Sequence, residues 1–264
     1  MSDVSSKASG KVHTAAQEGF STSAQAYVRG RPEYPAEVVD WLAQDLGLGA
    51  GKTVVDLGAG TGKFTKLLLK TGATVLAVEP VDAMREQLGK ALPAVQTFAG
   101  TAQAMPLPDA SADAVVCAQA FHWFATKEAL AEIHRVLKPG GQLGLVWNVR
   151  DESVDWVAAL TRLITPYEGD APRFYKGDWR KPFDGSFFTP LLASSFPYEH
   201  VGSSEDVIVD RFMSVSFIAA LPANEQAHVA EQLRALVKAY PALQGDTVAF
   251  PYRTQVYLAK RLAD

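Results

Sequence analysis

The chain has 264 residues, of which 48% are hydrophobic and 20% are charged. This composition is typical of a folded globular protein with one α/β domain or a domain plus a small cap, and it excludes a largely disordered chain. The formal net charge is −4, and no run of five or more like charges occurs. We therefore expect no nucleic-acid partner.

Cys117 is the single cysteine, so the chain can form no internal disulfide bond. It lies in the apolar run DAVVCAQA, where a thiol is usually a small buried side chain. The first 18 residues are polar, and no segment approaches the ~20 apolar residues of a membrane span. These features predict a cytoplasmic protein without a membrane partner. We also expect a disordered tail at 1–18 and either a monomer or a homodimer.

Helix and strand patterns alternate from the start of the folded region. YPAEVVDWLAQDLGLG predicts a helix over 35–46, because Pro35 suits a first helical turn and Gly47 a stop. The β-branched run TVVDL then leads into the glycine-rich turn GAGTG. The following GKFTKLLLKTG predicts a helix that ends near Gly72.

The same alternation continues as far as Arg150. Further strands are predicted in TVLAVEP, VQTFAG, ADAVVCAQ and QLGLVWNV, and further helices in DAMREQLGKAL, TKEALAEIHRVLKPGG and ESVDWVAALTRLI. Strands that alternate with helices favour right-handed crossovers around a parallel sheet. The sequence thus predicts an α/β fold with a doubly wound, mostly parallel sheet whose core is 53–150.

Beyond Arg150 the pattern loosens into an aromatic segment rich in Pro and Gly, and helices are predicted at 205–220 and 223–240. SFPYEHVGS and AFPYRTQVYLAKR share the tripeptide FPY, and both predict strands. We expect these strands to add a late antiparallel pair to the sheet, with a helical cap in the rest of 151–264. In a chain that is a single domain overall, 19–52 is expected to supply a lid and the first helix.

The glycine turn predicts a small-molecule site, because ligands of open α/β sheets bind beyond the carboxyl ends of the strands. A dinucleotide turn needs Gly-x-Gly-x-x-Gly, but the sixth position counted from Gly58 is Lys63. Asp56 would repel a pyrophosphate and suits a positively charged group. Glu79 ends the second strand and can accept hydrogen bonds from a ribose diol. Ribose, an amino group and no phosphate together describe S-adenosylmethionine.

Four segments resemble the successive motifs of class I S-adenosylmethionine-dependent methyltransferases: VVDLGAGTGKFT, VLAVEPVDAMREQL, FAGTAQAMPLPDASADAVVCAQAFHWF and EIHRVLKPGGQLGLVWN. More narrowly, YVRGRPEYP, FHWF, VWNVRD and FPYRTQVY resemble a small-molecule branch that includes trans-aconitate methyltransferase-like proteins. The resemblance implies a Rossmann-like methyltransferase fold with seven strands. It also implies S-adenosylmethionine as cofactor, S-adenosylhomocysteine as product, and no metal.

The resemblance further implies roles around the cofactor. The backbone of the glycine turn would approach the methionine portion, Asp56 would orient it, and Glu79 would bind the ribose hydroxyls. Pro80 and Met84 would pack on the adenine, although Met84 taken alone is more typical of a core side chain. Many relatives carry an acidic residue in the adenine loop, where this sequence has Thr101. The expected cofactor-binding residues are Arg31, Asp56, Gly58, Ala59, Gly60, Glu79, Pro80, Met84, Thr101, Ala102, Gln119 and Phe121.

Residues that contact the methyl acceptor are expected at the mouth of the site. His122, after the fourth strand, is a candidate catalytic base or hydrogen-bond partner of the acceptor, and an ordinary core histidine is the alternative. Arg150 ends the fifth strand, where it either binds an anionic acceptor or pairs with Asp151 or Glu152. The expected substrate-binding residues are Phe20, Tyr27, Trp123, Trp147 and Arg150.

These expectations describe transfer of a methyl group from S-adenosylmethionine to a small organic molecule, at an oxygen of a carboxylate or hydroxyl group. A base is needed only if the acceptor is still protonated at neutral pH. A non-catalytic S-adenosylmethionine-binding protein that acts through a partner is the alternative. A nicotinamide-dependent oxidoreductase comes third, because Asp56 and Lys63 argue against it.

Overall fold

The structure is a computed structural model that describes residues 31–263. The predicted tail at 1–18 and the first part of the predicted lid lie outside the described residues. Phe20 and Tyr27 also lie outside them, so their expected roles stay predictions.

One seven-stranded sheet runs through the described chain in the order β3-β2-β1-β4-β5-β7-β6. Its strands are β1 (Thr53–Leu57), β2 (Thr74–Val78), β3 (Gln96–Phe98), β4 (Ala112–Ala118), β5 (Leu137–Arg150), β6 (Leu192–Gly202) and β7 (Val248–Lys260). The strands β1 to β5 pair in parallel, and β7 lies antiparallel between β5 and β6. The predicted fold class, including the late antiparallel pair, is confirmed.

The helices are α1 (Glu37–Gln44), α2 (Thr65–Leu69), α3 (Asp82–Ala91), α4 (Lys127–Val136), α5 (Asp155–Ile164), α6 (Arg211–Met213), α7 (Ser216–Ala219) and α8 (Ala223–Ala239). Apolar side chains of α1 and α4 belong to different core clusters. Adjacent residues of β4 alternate between the same two clusters, as in a sheet covered on both faces. In the part of the chain that is described, no helix is both long enough and apolar enough to cross a membrane.

The prediction of a helix through TKEALAEIHRVLKPGG is wrong in its last five residues. Helix α4 ends at Val136, and β5 begins at the next residue. Pro139 has no backbone N–H to donate, and Gly140 has a φ of +76°, so the helix cannot continue there. The result is a strand of 14 residues that reaches from the end of α4 to Arg150.

A third apolar cluster belongs to the cap, which we define as 151–191 together with 203–247. The helices α5 to α8 and a π-helix at Glu205–Asp210 contribute to this cluster. Phe250 and Tyr252 of β7 belong to the same cluster, and Tyr252 pairs with Arg150 at the end of β5. The long antiparallel pair of β5 and β7 therefore carries Arg150 from the sheet into the cap.

Candidate active site

Two cavities meet beyond the carboxyl ends of β1, β4 and β5. The first, the turn cavity, has about 510 Å³ of space, counted with its open mouth. The second, the cap cavity, has about 780 Å³ counted in the same way. Arg31, Gln119 and Arg211 line both cavities, so the two form one continuous cleft.

The turn cavity is lined by the glycine turn that follows β1. Gly58 and Gly60 have φ angles of +75° and +57°, which side chains other than glycine rarely adopt. A Cβ on Gly58 would lie only 2.8 Å from the Cβ of Ala120. Glycine is therefore required here both by backbone conformation and by the close approach of the loop after β4. Gly58, Ala59 and Gly60, which are expected to contact the cofactor, all line the cavity.

Asp56 also lines the turn cavity, although its side chain is almost fully buried. The hydroxyl of Thr65 donates a hydrogen bond of 2.6 Å to Asp56 Oδ2. Burial raises the pKa of Asp56 to about 7, the Thr65 hydrogen bond lowers it by less, and the nearby Glu79 carboxylate raises it further. A positively charged ligand group in this cavity would stabilise the ionised carboxylate.

Glu79 follows the last residue of β2 and holds the glycine turn in place through hydrogen bonds. Its Oε2 accepts a hydrogen bond of 2.8 Å from the backbone N–H of Gly60, and its Oε1 accepts one of 2.8 Å from Val81. Burial raises the pKa of Glu79, and the two backbone hydrogen bonds oppose that rise. Glu79 lines neither cavity. Each carboxylate oxygen keeps a second lone pair, so the predicted contact with a ribose remains available.

The residues expected to contact adenine lie beside the turn cavity and line neither cavity. Met84 and Ala102 are buried, and Met84 Sδ lies 3.8 Å from where a Cβ of Gly60 would be. The Thr101 hydroxyl oxygen is buried and has no hydrogen-bond partner within 31–263. A buried hydroxyl without a partner is costly, so a polar ligand atom that bonds Thr101 would stabilise this loop.

Phe121 does not occupy the position that the sequence predicts. It is fully buried and lines neither cavity. Its ring packs on those of Phe124 and Phe183, each with a centroid distance of 5.6 Å. Because Phe121–Trp123 forms a 3₁₀ turn, its side chains diverge, and His122 and Trp123 line the cap cavity while Phe121 faces the core.

His122 has a fixed hydrogen-bonding role. The indole N–H of Trp147 donates a hydrogen bond of 3.1 Å to His122 Nδ1, so the neutral imidazole carries its proton on Nε2. Burial, helped by the positive charges of Arg173 and Arg31, lowers the pKa of His122 to about 3. The neutral ring can thus donate from Nε2, and it has no nitrogen left to take a proton.

Gln119 stands where the two cavities meet. Its φ is +57°, an uncommon conformation for a residue other than glycine and one that often marks a functional position. Its backbone N–H donates 2.8 Å to the carbonyl of Val146, and its side-chain amide lies 3.4 Å from the carbonyl oxygen of Asn148. These contacts, together with the unusual backbone conformation, direct Gln119 toward the cleft instead of letting it continue the line of β4.

The segment from Arg31 to Tyr34 is bound across the cleft by long-range contacts. Arg31 Nη2 donates a hydrogen bond of 3.0 Å to the carbonyl of Ser214 in the cap. Asn148 donates one of 2.8 Å to the carbonyl of Glu33, whose carboxylate lies 3.3 Å from Lys63 Nζ. The predicted lid arginine therefore connects the glycine turn to the cap.

Arg150 does not pair with Asp151. That carboxylate instead lies 3.3 Å from Arg253 Nε, as expected of a structural role for Arg253. The Arg150 guanidinium lies over the ring of Phe212, 5.1 Å from its centroid, and lines the cap cavity together with Glu152. Burial, more than the neighbouring arginines, lowers the pKa of Arg150 to about 10.

Two further arginines of the cap cavity were missed by sequence reasoning. Arg173 lies over the ring of Phe217, 5.1 Å from its centroid. Arg211 directly follows the π-helix, and its Nε donates a hydrogen bond of 3.1 Å to the hydroxyl of Tyr252. One available signal is that Arg211 lies in the largely apolar stretch VIVDRFMSVSF, where a buried arginine needs a partner.

Comparison with known proteins settles the family. A family model described as a methyltransferase domain matches residues 55–145. An uncharacterised methyltransferase-like protein of Schizosaccharomyces pombe is 38% identical over 244 residues, which cover 92% of this chain and 95% of that protein. The chain belongs to the class I S-adenosylmethionine-dependent methyltransferases.

Two other comparisons carry less weight, one because it covers about half of the chain and one because its sequence identity is low. An O-methyltransferase of Penicillium expansum is 34% identical to the methyltransferase over 147 residues, which cover 50% of this chain and 53% of that protein. A solved structure from Anaeromyxobacter dehalogenans, described as a candidate type II methyltransferase, has a TM-score of 0.60 at 24% identity. That match covers 88% of this chain and 96% of that one. This second likeness concerns the fold.

The turn cavity of the methyltransferase fits S-adenosylmethionine. Because Gly58 and Gly60 carry no side chain, a ligand can approach the backbone of the turn closely. Asp56 offers a carboxylate to a positively charged group of that ligand. The Thr101 hydroxyl offers a hydrogen bond that no described residue takes up. The Asp56 carboxylate suits the positively charged methionine portion, whereas Thr101 lies beside the turn cavity and not in its lining.

Proposed function

We propose that the methyltransferase methylates an oxygen of a small organic acceptor, and that this oxygen belongs to a carboxylate. The observation that carries the proposal is the hydrogen bond from the Trp147 indole to His122 Nδ1, which makes His122 a donor in the cap cavity. The name of the Penicillium expansum relative, an O-methyltransferase, supports transfer to oxygen. The finer resemblance to trans-aconitate methyltransferase-like proteins agrees with an acidic acceptor.

The cofactor side of the reaction is assigned to the turn cavity. Asp56 would hold the ammonium group of the methionine portion, and Arg31 would pair with its carboxylate. The backbone of Gly58 to Gly60 would lie against the ligand, and Glu79 would take the ribose. S-adenosylmethionine, when bound, supplies a methyl group on a positively charged sulfur, which a lone pair of the acceptor can attack in line.

The acceptor side is assigned to the cap cavity. His122 would donate its Nε2–H to one acceptor oxygen and so orient the carboxylate, while Gln119 offers an amide at the junction of the cavities. Trp123 and Trp147 would wall the pocket and exclude water.

A carboxylate suits this arrangement better than a hydroxyl does. A hydroxyl group must lose its proton during transfer, and His122 cannot take it because Nδ1 is occupied and its pKa is near 3. A carboxylate is already ionised at neutral pH, so no proton has to move. The expected product is therefore a methyl ester.

The test is methyl transfer from isotopically labelled S-adenosylmethionine by the full-length protein to a panel of carboxylic acids, phenols and amines. We expect labelled products that release methanol in mild base, as methyl esters do. Methylation confined to phenols or amines would refute the proposal. Saturable cofactor binding without any product would instead favour a binding protein that acts through a partner.

Two variants of His122 sharpen this test. His122→Phe removes the donor that would orient the acceptor and should lower kcat by about 10- to 100-fold, since misplacement of a reacting group by about 1 Å can cost about 100-fold. His122→Asn keeps an N–H and should retain more activity. His134→Asn is the matched control, since His134 contacts the carbonyl of Leu262 and lines neither cavity.

The proposal also covers the cellular compartment, the class of substrate and the oligomeric state of the methyltransferase. The buried thiol of Cys117 is compatible with a reducing compartment, which supports a cytoplasmic protein. The net charge of −4 supports a small molecule rather than nucleic acid as the substrate. We propose either a monomer or a homodimer.

A further inference from the structure

We propose that Lys63 and Asn148 are positioning residues that hold the segment 31–34, which we call the strap, over the cleft and so control how fast the cofactor enters and leaves. This inference rests on the proposed function only in placing S-adenosylmethionine in the turn cavity, and it does not depend on the methyl acceptor. It gives a role to the lysine that stands where a dinucleotide turn has its third glycine.

The strap lies where the two cavities meet. Arg31, Pro32 and Tyr34 line the turn cavity, and Arg31 also lines the cap cavity. Pro32 and Pro35 fix the φ angle within the strap and directly after it, so the strap has few conformations of its own. We therefore expect the strap to move as one unit when a ligand passes.

Lys63 joins the strap to the glycine turn. Its ammonium group donates a hydrogen bond to the carbonyl of Arg31 and lies 3.3 Å from Glu33 Oε1. The side chain of Lys63 is 17% exposed and that of Glu33 is 65% exposed, so the hydrogen bond to the carbonyl is the stronger contact. The rings of Tyr34 and Phe64 pack edge to face beside it, with centroids 4.9 Å apart.

Asn148 joins the strap to the sheet. Its Nδ2 donates a hydrogen bond of 2.8 Å to the carbonyl of Glu33, and its Oδ1 accepts one of 2.6 Å from the Thr254 hydroxyl. A carbonyl can only accept, so the amide of Asn148 must present its NH₂ group to the strap and its oxygen to Thr254. Asn148 and Thr254 are both buried, which holds the amide in this orientation.

The contacts of Lys63 and Asn148 with the strap join one protein group to another, so we expect them with and without bound cofactor. A contact of equal strength in both states lowers the population of the open strap equally in each. Its removal should therefore speed entry and exit together and leave the equilibrium affinity nearly unchanged.

Lys63 also lines the turn cavity, so direct contact with the carboxylate of the cofactor's methionine portion is the alternative role. The two roles predict different kinetics. Loss of a direct contact would weaken the affinity through faster exit, and loss of its charge would slow the entry of an anionic group or leave it unchanged.

The experiment is stopped-flow mixing of the full-length protein with S-adenosylhomocysteine, followed by tryptophan fluorescence, with calorimetry for the equilibrium affinity. Lys63→Met removes a charged donor and should raise both the association and the dissociation rate constants about tenfold or more, with Kd within about threefold of the wild type. Asn148→Leu removes a neutral donor and should raise both rate constants about two- to tenfold. Lys63→Arg keeps a charged donor and should exchange the ligand nearly as slowly as the wild type.

Lys66→Met and Asn224→Leu are the matched controls, because both side chains are exposed and line neither cavity. Both should bind and release S-adenosylhomocysteine at the rates of the wild type. Denaturant unfolding checks that every variant is folded. A variant that is merely destabilised would bind with a smaller active fraction, which does not raise the association rate constant.

The outcomes separate the strap from the cofactor site. Lower affinity of Lys63→Met with unchanged or slower association would overturn the strap role and assign Lys63 to the cofactor. Rate constants of Lys63→Met and Asn148→Leu that match those of the controls would overturn the inference alone. Failure of the folded wild type to bind S-adenosylhomocysteine would overturn the cofactor site of the proposed function.

Discussion

Replacement of Asp56 by Asn should stabilise the free methyltransferase at pH 8 while it weakens binding of S-adenosylmethionine. Burial raises the pKa of Asp56 from 3.8 to about 7, a change of about three pH units. At about 1.4 kcal/mol for each unit, the ionised carboxylate costs the folded protein about 4 kcal/mol above pH 7. Asn keeps an acceptor for the Thr65 hydroxyl, and its buried NH₂ offsets about 1–3 kcal/mol of the gain. We expect a net stabilisation of about 1–3 kcal/mol.

The pH dependence gives the decisive readout. Between pH 4 and pH 7 the folded wild type keeps a proton on Asp56 that the unfolded chain has lost, so its stability should fall as the pH rises through this range. The Asp56→Asn variant should lack that fall. Asp113→Asn is a control of opposite sign, because hydrogen bonds, the largest from Lys138, outweigh burial and lower the pKa of Asp113 to about 2.

Denaturant unfolding at pH 5, 6, 7 and 8 measures these stabilities, and calorimetry with S-adenosylmethionine measures the binding. The wild type should bind with an affinity at least about tenfold higher than Asp56→Asn, as expected for loss of one buried charge pair. A variant that is less stable than the wild type at pH 8, with the same pH slope, would show that Asp56 is ionised in the free protein. The argument for a carboxylate that awaits a positive ligand would then be refuted.

Three other predictions follow from single positions. Gly58→Ala should lose cofactor binding, and its free energy of unfolding should be about 1–3 kcal/mol lower than that of the control Gly51→Ala. Both glycines have positive φ, but only a Cβ at position 58 would meet Ala120. Denaturant titration measures the stabilities, and calorimetry measures cofactor binding. Cys117 should resist a thiol reagent until the protein unfolds, because burial raises the pKa of the thiol, and rapid labelling of the native protein would contradict this. With saturating cofactor, kcat should be flat from pH 6 to pH 8.5 because His122 titrates near 3, and a limb near pH 6.5 would indicate a general base.

The central sheet could be predicted from the sequence because its signals are local. The strands β1, β2 and β4 are short, largely apolar runs close to Gly or polar residues, and the helix pattern between strands indicates the crossovers. The glycine turn, Asp56 and Glu79 are singled out by the sequence in the same way, because they lie at the ends of the adjacent strands β1 and β2. The end of α4 was misplaced because the periodic pattern fades gradually, while Pro139 and Gly140 end the helix abruptly.

The cap cavity could be predicted only in part, because its geometry depends on contacts between distant residues. Arg31 reaches the carbonyl of Ser214 across 183 positions of the chain, and nothing local indicates that pairing. Phe121 and His122 are neighbours in sequence, and only the 3₁₀ turn decides which of them faces the cavity. The role of His122 depends on a hydrogen bond from Trp147, which lies on a different strand.

The way in which the cap joins the sheet has a consequence for how such enzymes diversify. The cap leaves the core after Arg150 and returns at Val248, and the end of β5 lies beside the first part of β7, where Arg150 pairs with Tyr252. A chimaera that exchanges the intervening cap segments would keep the glycine turn and inherit a different set of side chains over the acceptor. Evolution can therefore change the substrate by exchanging cap segments on one side of the cleft. The glycine turn and the rest of the turn cavity can stay the same.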